Sequence, residues 1–332
     1  MKSTINVAVI GTGYWGKNHV RVFKSLETAG IVKFEKICDA NHEICKRITD
    51  QYYLESTENY KEILNNEKID AVSICTPNNT HYKLGLEFLK AGKHLLIEKP
   101  LALTFKEAQR LARFAEKEDL ILMAGHVFRF NPLVRKLKEE LTKGTLGDVY
   151  FIVGNRTCLF IPKNECGVII DLAIHDVDIS LFLFDETLPM RVQAVGGSFL
   201  RKKFEEVAFV TLDFGSIKNY IFSSWLHPKK VRETWVIGSE GEIHADYVSK
   251  KIRMFEKRIC SDDAHSKFKI HEGPCRELDI ENEEPLKLEL THFVDCVKRN
   301  KQPDVDGYVA SRVIKVCEIA IKSLQKQRVM VL

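Results

Sequence analysis

Several constellations in this chain combine residue types and spacings that can do chemistry. After the apolar run Asn6-Val7-Ala8-Val9-Ile10 comes Gly11-Thr12-Gly13-Tyr14-Trp15-Gly16, followed by an amphipathic stretch bearing Val20, Val22, Phe23 and Leu26. In such a G-x-G-x-x-G turn the first glycine allows the tight turn and the second lets backbone approach a pyrophosphate. The third lets a helix pack closely on the strand. The helix amides then face an anion, so the opening predicts a dinucleotide site. Asp39 ends the next apolar run, somewhat beyond the ~20 residue offset of an acid that grips the adenosine ribose hydroxyls. A carboxylate there repels a 2′-phosphate, and Ala40 and Asn41 bring no cation to offset it. The pattern predicts NAD rather than NADP.

Three further groups carry reactive side chains. Thr76-Pro77-Asn78 follows an apolar run and reads either as a plain turn or as a loop lining the nicotinamide half of the cofactor. Glu98-Lys99-Pro100 follows His94–Ile97; a lysine before proline is held extended, and the bond to proline can adopt cis. Burial and a cationic pyridine ring both disfavour an ammonium, which suits Lys99 to proton transfer, although an exposed lysine before a helix-starting proline fits the same residues. Asp171 and His175, four residues apart on an expected helix, share one face. An imidazole that is neutral near pH 7 can take a proton from an alcohol. The pair also has metal-ligand spacing, but no third ligand is evident, and a capping pair is the plainer alternative.

Alternating patterns position these groups. Strands are expected at Val7–Ile10, Lys33–Cys38, Ala71–Cys75, His94–Ile97 and Ile121–Met123, with helices such as Ala40–Asp50 and His81–Ala91 between them. Thr104 and Glu107 form a T-x-x-E capping box ahead of Ala108, Leu111, Ala112 and Ala115. This is a doubly wound parallel sheet occupying residues 1–124. A connecting helix over Leu133–Leu141 leads into residues 125–332, where strand patterns dominate: Tyr150–Asn155, Val192–Gly196, Ala208–Phe214, Tyr220–Trp225, Thr234–Ile237 and Ile252–Phe255. Ser239-Glu240-Gly241 reads as a hairpin turn. The second domain is thus an α/β domain with an open, largely antiparallel sheet, closed by helices at Leu286–Arg299 and Tyr308–Gln325. One face of that sheet needs a cover.

Composition narrows the function classes. With Lys+Arg 50 against Asp+Glu 46 the net charge is +4, and the cations are dispersed, which argues against nucleic acid. No apolar run nears the ~18 residues of a membrane span, and no secretory signal pattern opens the chain. Nine cysteines without C-x-x-C spacing read as reduced thiols of a cytoplasmic protein.

Taken in order, the glycine turn, Thr76-Pro77-Asn78, Glu98-Lys99-Pro100, Gly125-His126-Val127-Phe128-Arg129-Phe130-Asn131-Pro132 and Asp171…His175 resemble the glucose-fructose oxidoreductase / inositol dehydrogenase / MocA (Gfo/Idh/MocA) family over essentially the full chain. The resemblance implies an N-terminal Rossmann domain, a C-terminal α/β domain and a homodimer or homotetramer covering the bare sheet face. It implies that Lys99 and His175 flank a reacting carbinol while Asp171 positions substrate. Many members carry glycine where this chain has Leu172 and Ala173. Arg156-Thr157, Val168–Asp176 and Ser224–Arg232 are similar to the nucleotide-sugar branch, which includes UDP-N-acetylglucosamine 3-dehydrogenases. The implied cofactor contacts are Gly11, Thr12, Gly13, Tyr14, Trp15, Gly16, Asp39, Thr76, Pro77, Asn78, His81, Glu98 and Lys99. The implied substrate contacts are Lys99, His126, Arg129, Asn131, Arg156, Asp171 and His175. Arg129, Arg156, Lys230 and Arg232 are cations that could meet a diphosphate. A free-sugar or inositol dehydrogenase keeps every motif without needing those cations, and a non-catalytic NAD-binding sensor keeps the fold alone.

Overall fold

The computed structural model describes residues 4–162, 165–262 and 267–332. The chain divides into two compact units, one running through Phe130 and resuming over Glu283–Ile314, the other formed by Asn131–Asn282 and Lys315–Leu332.

In the first unit β1 (Ile5–Ile10), α1 (Gly16–Thr28), β2 (Val32–Cys38), α2 (His42–Tyr52), β3 (Glu55–Thr57), α3 (Tyr60–Leu64), β4 (Ala71–Ile74), α4 (His81–Lys90), β5 (His94–Glu98), α5 (Phe105–Lys117) and β6 (Leu122–Gly125) follow one another. All strand pairs are parallel, in the order β3-β2-β1-β4-β5-β6. The central strands are apolar because helices cover both faces, and every residue of β4 and β6 is buried. Between β1 and β4 the strand order reverses, so the carboxyl ends of these strands border the crevice in which open sheets take ligands. Thr104 caps α5, its side chain accepting from the Glu107 amide at 3.2 Å, and Ala108, Leu111, Ala112 and Ala115 are buried.

The second unit begins with α6 (Pro132–Thr142), β7 (Val149–Leu159) and α7 (Ile174–Leu183). Then come β8 (Arg191–Gly197), β9 (Val207–Asp213), β10 (Lys218–Ser224), β11 (Leu226–Gly238), β12 (Gly241–Asp246), β13 (Lys251–Phe255), β14 (Arg258–Asp262), β15 (Lys267–His271) and β16 (Cys275–Glu277). The last elements of the chain are α8 (Pro285–Arg299), α9 (Gly307–Lys326) and β17 (Met330–Val331). Among the described residues a nine-stranded sheet has the order β16-β13-β12-β11-β7-β10-β9-β8-β17. Only the β7–β10 pair is parallel. The hairpin expected at Ser239–Gly241 joins β11 to β12. One sheet face lies against α7, where Asn219 reaches Ser180 and Arg156 reaches Asp176. On the other face Val195, Phe209, Phe222 and Tyr220 stand partly or largely exposed, and Phe209 stacks on Phe222 with ring centroids 4.5 Å apart.

The first compact unit is completed by a later part of the chain. Leu290, Phe293 and Val294 of α8 and Ala310 of α9 are buried in the core of the first unit, and Ala124 N donates to Val305 O at 2.9 Å. The amphipathic pattern of these helices says that they must be covered, not which sheet covers them. No described helix is long and apolar enough to cross a membrane, and all nine cysteines are unbridged.

Candidate active site

The glycine turn follows from close backbone approach. Gly11 has φ +80°, and a Cβ there would lie 2.7 Å from the Cys75 carbonyl oxygen. At Gly16 a Cβ would come within 1.8 Å of the Gly11 carbonyl oxygen, so neither site tolerates a side chain. Gly13 is exposed and opens onto space, with no atom within 4 Å of an added Cβ. The start of α1 has neither a side-chain cap nor an acid in its first turn. The Lys17 and Asn18 amides bond the Gly13 and Trp15 carbonyls at 3.2 and 2.8 Å, and the open Gly13 at the positive end of α1 fits the pyrophosphate of a dinucleotide. Asp39 overhangs the turn. Its Oδ2 accepts from Thr12 N at 2.7 Å and Thr12 Oγ1 at 3.1 Å, and its Oδ1 accepts from Asn41 N at 3.0 Å.

Two more loops leave the same sheet edge. After β4, Thr76 and Thr80 hydroxyls meet at 2.6 Å, Thr80 also bonds the Pro77 carbonyl at 2.7 Å, and Asn78–Thr80 forms a 3-10 turn into α4. After β5 comes Lys99, with a cis bond to Pro100. Glu98 and His81, expected at the cofactor, direct their polar atoms into the protein. Glu98 is buried, accepts from the Trp15 indole and from His19 Nε2 at 2.9 Å, and takes the Lys99 amide at 3.1 Å. His81 is buried with Nδ1 2.8 Å from Pro100 O and Nε2 2.8 Å from Thr76 O. His19 escaped the sequence reading. Burial opposes its protonation, but Cys75 and the Glu98 carboxylate outweigh that and hold its pKa well above the ordinary imidazole value. Its position among Val20, Val22 and Phe23 on the buried face of α1 was the available signal.

The second unit holds the other reactive pair. Asp171 lies in a π-helical turn, Ile169–Ala173, that runs into α7, and His175 is half-buried in the first turn of α7. Such turns recur at functional sites. Leu172 and Ala173, standing where many relatives have glycine, are buried in that turn. Asp171 is buried and its Oδ2 accepts from the Trp225 indole at 3.2 Å. Glu205 caps the turn by accepting from Ile169 N at 3.0 Å, and burial pushes its pKa up. Neither Trp225 nor Glu205 was singled out from sequence as a partner of this segment.

The expected substrate cations differ in their surroundings. Arg156 is 1% exposed and gives Nε and Nη2 to Asp176 at 2.7 and 3.1 Å, so it is an internal ion pair rather than a surface cation. The alternating side-chain pattern of β7 turns it inward onto α7. Arg129 and His126 are buried at the end of the first unit. Asn131 caps α6, accepting from Leu133 N at 2.9 Å. Lys230 is exposed, in the stretch of β11 whose pairing with β7 is interrupted between Leu226 and Val231. Among the described residues no group of three or more His, Cys, Asp or Glu is placed to hold a metal.

Known sequences supply the wider frame. The family model for an oxidoreductase family with an NAD-binding Rossmann fold matches residues 5–126, and that for the GFO/IDH/MocA C-terminal domain matches residues 134–244. The chain belongs to the Gfo/Idh/MocA family. Within it, UDP-N-acetylglucosamine 3-dehydrogenase of Acidithiobacillus ferrooxidans is 25% identical over 312 residues, covering 93% of this chain and 94% of its own. Myo-inositol 2-dehydrogenase of Thermotoga maritima is 26% identical, covering 98% and 97%. A solved structure of the Acidithiobacillus enzyme matches the fold with a TM-score of 0.83 at 22% identity, over 97% of this chain and 98% of that one. These Gfo/Idh/MocA relatives share both halves of the chain, not the Rossmann half alone.

Proposed function

We propose that this Gfo/Idh/MocA protein is an NAD-dependent dehydrogenase that oxidises a secondary hydroxyl of a nucleotide sugar, C3 of a UDP-N-acetylhexosamine or its uronic acid, to a ketone. One observation carries the reading: the turn bearing Lys99 leaves the sheet edge beside a glycine turn that fits a pyrophosphate, and Glu98 ties the two together through Trp15. Bound NAD supplies the hydride acceptor. Lys99 or His175 takes the hydroxyl proton, and the other orients the hydroxyl or stabilises the developing oxyanion. Asp171, held by Trp225, orients the sugar. Similarity to the Acidithiobacillus enzyme supports the nucleotide sugar. The Asp39 carboxylate supports NAD over NADP, since a 2′-phosphate would meet its charge.

Reduction of NAD+ followed at 340 nm with UDP-N-acetylglucosamine tests the reading. Lys99→Ala and His175→Ala are expected to keep NADH binding and to lose about 100-fold or more in turnover; near-normal turnover in both would remove the assignment. A second reading, oxidation of inositol or another free polyol, gains support from the internal pairing of Arg156, which subtracts one cation from a diphosphate site. Turnover of myo-inositol with an inert UDP-sugar would select it. The aromatic sheet face around Phe209 and Phe222 is proposed as the contact between copies in a homodimer or homotetramer.

A further inference from the structure

The Lys99 turn is gripped from both sides by buried imidazoles. On its amino side Glu98 accepts from His19 Nε2 at 2.9 Å while the same carboxylate takes the Lys99 amide at 3.1 Å. His19 is itself pinned, since its Nδ1 lies 2.9 Å from Ser73 Oγ on β4. On the carboxyl side the Pro100 carbonyl faces His81 Nδ1 at 2.8 Å, and the other nitrogen of that ring faces the Thr76 carbonyl at the same distance. Both rings are fully buried, and each is seated on a helix of the sheet scaffold, α1 for His19 and α4 for His81.

We propose that His19 and His81 are positioning residues for Lys99, fixing the backbone on either side of it so that its amine has only its own side-chain torsions to search. The proposal rests on Lys99 acting at the reacting hydroxyl, and the physical reason is general. A proton acceptor must be held within a fraction of an ångström of productive geometry, and groups anchored to helices and strands achieve this better than a free loop. A buried histidine has two torsions and no room to change rotamer, so it makes a stiff strut.

The two ring nitrogens of His81 make unequal claims. A carbonyl oxygen only accepts, so each of the two bonds needs an N–H, and a neutral imidazole has one. Burial pulls the His81 pKa below the ordinary value, against the Pro100 and Thr76 carbonyls and Glu98, and Lys99 adds to the pull. The neutral ring therefore serves one carbonyl at a time, and the bond that matters to Lys99 is the one to Pro100.

Matched amide substitutions separate a positioning role from a merely structural one. His81→Asn sets its amide nitrogen near the place of Nδ1 and keeps the Pro100 bond, whereas His81→Gln reaches the Nε2 position and keeps only Thr76. Likewise His19→Gln retains a donor to Glu98, and His19→Ala does not. The first readout is the rate at which an acetylating N-hydroxysuccinimide ester labels Lys99, measured by peptide mass spectrometry against exposed Lys106 as internal control. In His19→Ala and His81→Gln the Lys99 rate is expected to move about threefold or more, with Lys106 unchanged; His19→Gln and His81→Asn return it toward wild type. Where His19→Ala does not fold, Ser73→Ala removes the second bond of His19 without a large cavity and is expected to move Lys99 in the same direction. The second readout is turnover of UDP-N-acetylglucosamine, expected to fall about 10- to 100-fold in His19→Ala and His81→Gln while NADH affinity stays within about twofold. Equal Lys99 labelling in all folded variants, or no difference between His81→Asn and His81→Gln, overturns the inference. Lys99→Ala with intact turnover overturns instead the assignment of Lys99, whatever the labelling shows.

Discussion

Asp39 does two jobs with one carboxylate. It fastens the glycine turn through Thr12, and under the proposed function its charge faces the adenosine end of the cofactor. Asp39→Ser should therefore lower kcat/KM with NAD about 10- to 100-fold, as expected for losing charge-assisted bonds, and lower it less with NADP; steady-state assays with both cofactors check this. Gly16 offers a stricter test. An alanine methyl would sit on the Gly11 carbonyl, which is backbone and cannot swing aside. Gly16→Ala should cost more than about 3 kcal/mol, read as a lower urea midpoint, or abolish NADH binding in a chain that still folds. At this scale the sequence was most informative where a residue type is irreplaceable, as in the glycines. It was least informative where a side chain is held by a distant partner: His19 by Glu98, Asp171 by Trp225 and Arg156 by Asp176, pairs 79, 54 and 20 residues apart. Spacing along the chain carries no trace of such pairings.

Among the elements, the strands and helices with strong periodicity stand where the pattern puts them, within a residue or two at β8, β13 and α8. The short exposed pieces, β3 and β14 to β16, left no pattern because few of their side chains are buried. The contact of β7 with α7 depends on the Arg156–Asp176 pair. Arg156→Met strands a buried carboxylate and should cost about 3–5 kcal/mol, whereas adding Asp176→Leu should recover most of it; chemical denaturation of the single and double variants decides. The β9–β10 turn is closed electrostatically. Asp213 accepts from Lys218 at 2.5 Å, from Gly215 N at 2.9 Å and from Arg191 at 2.9 Å, and Lys218 first among them holds its pKa down to about 2. The folded chain thus favours the ionised form more than the unfolded chain does, so the contribution is complete well above the ordinary value of 3.8 and fades as pH falls toward about 2. Thermal melts of wild type and Asp213→Asn should differ at neutral pH and converge near pH 2.

For the whole molecule, the aromatic sheet face makes the strongest statement. Val195 is 61% and Phe209 54% exposed on strands whose other face is packed. Phe209→Glu should leave circular dichroism unchanged and convert an oligomer to a monomer in light scattering; an unaltered mass would dismiss this face as the contact. Domain organisation was legible in kind, a doubly wound half followed by a meandering one, but not in path, because helices 285–299 and 307–326 advertise an apolar stripe without naming its recipient. That path bears on how the protein comes into being. The core of the nucleotide-binding half includes Leu290, Phe293 and Ala310, so during synthesis that half stays partly unsealed until the segment carrying these residues has emerged. Early termination before these helices would release a sheet with a raw apolar flank, a natural target for chaperones and proteases rather than a smaller working module.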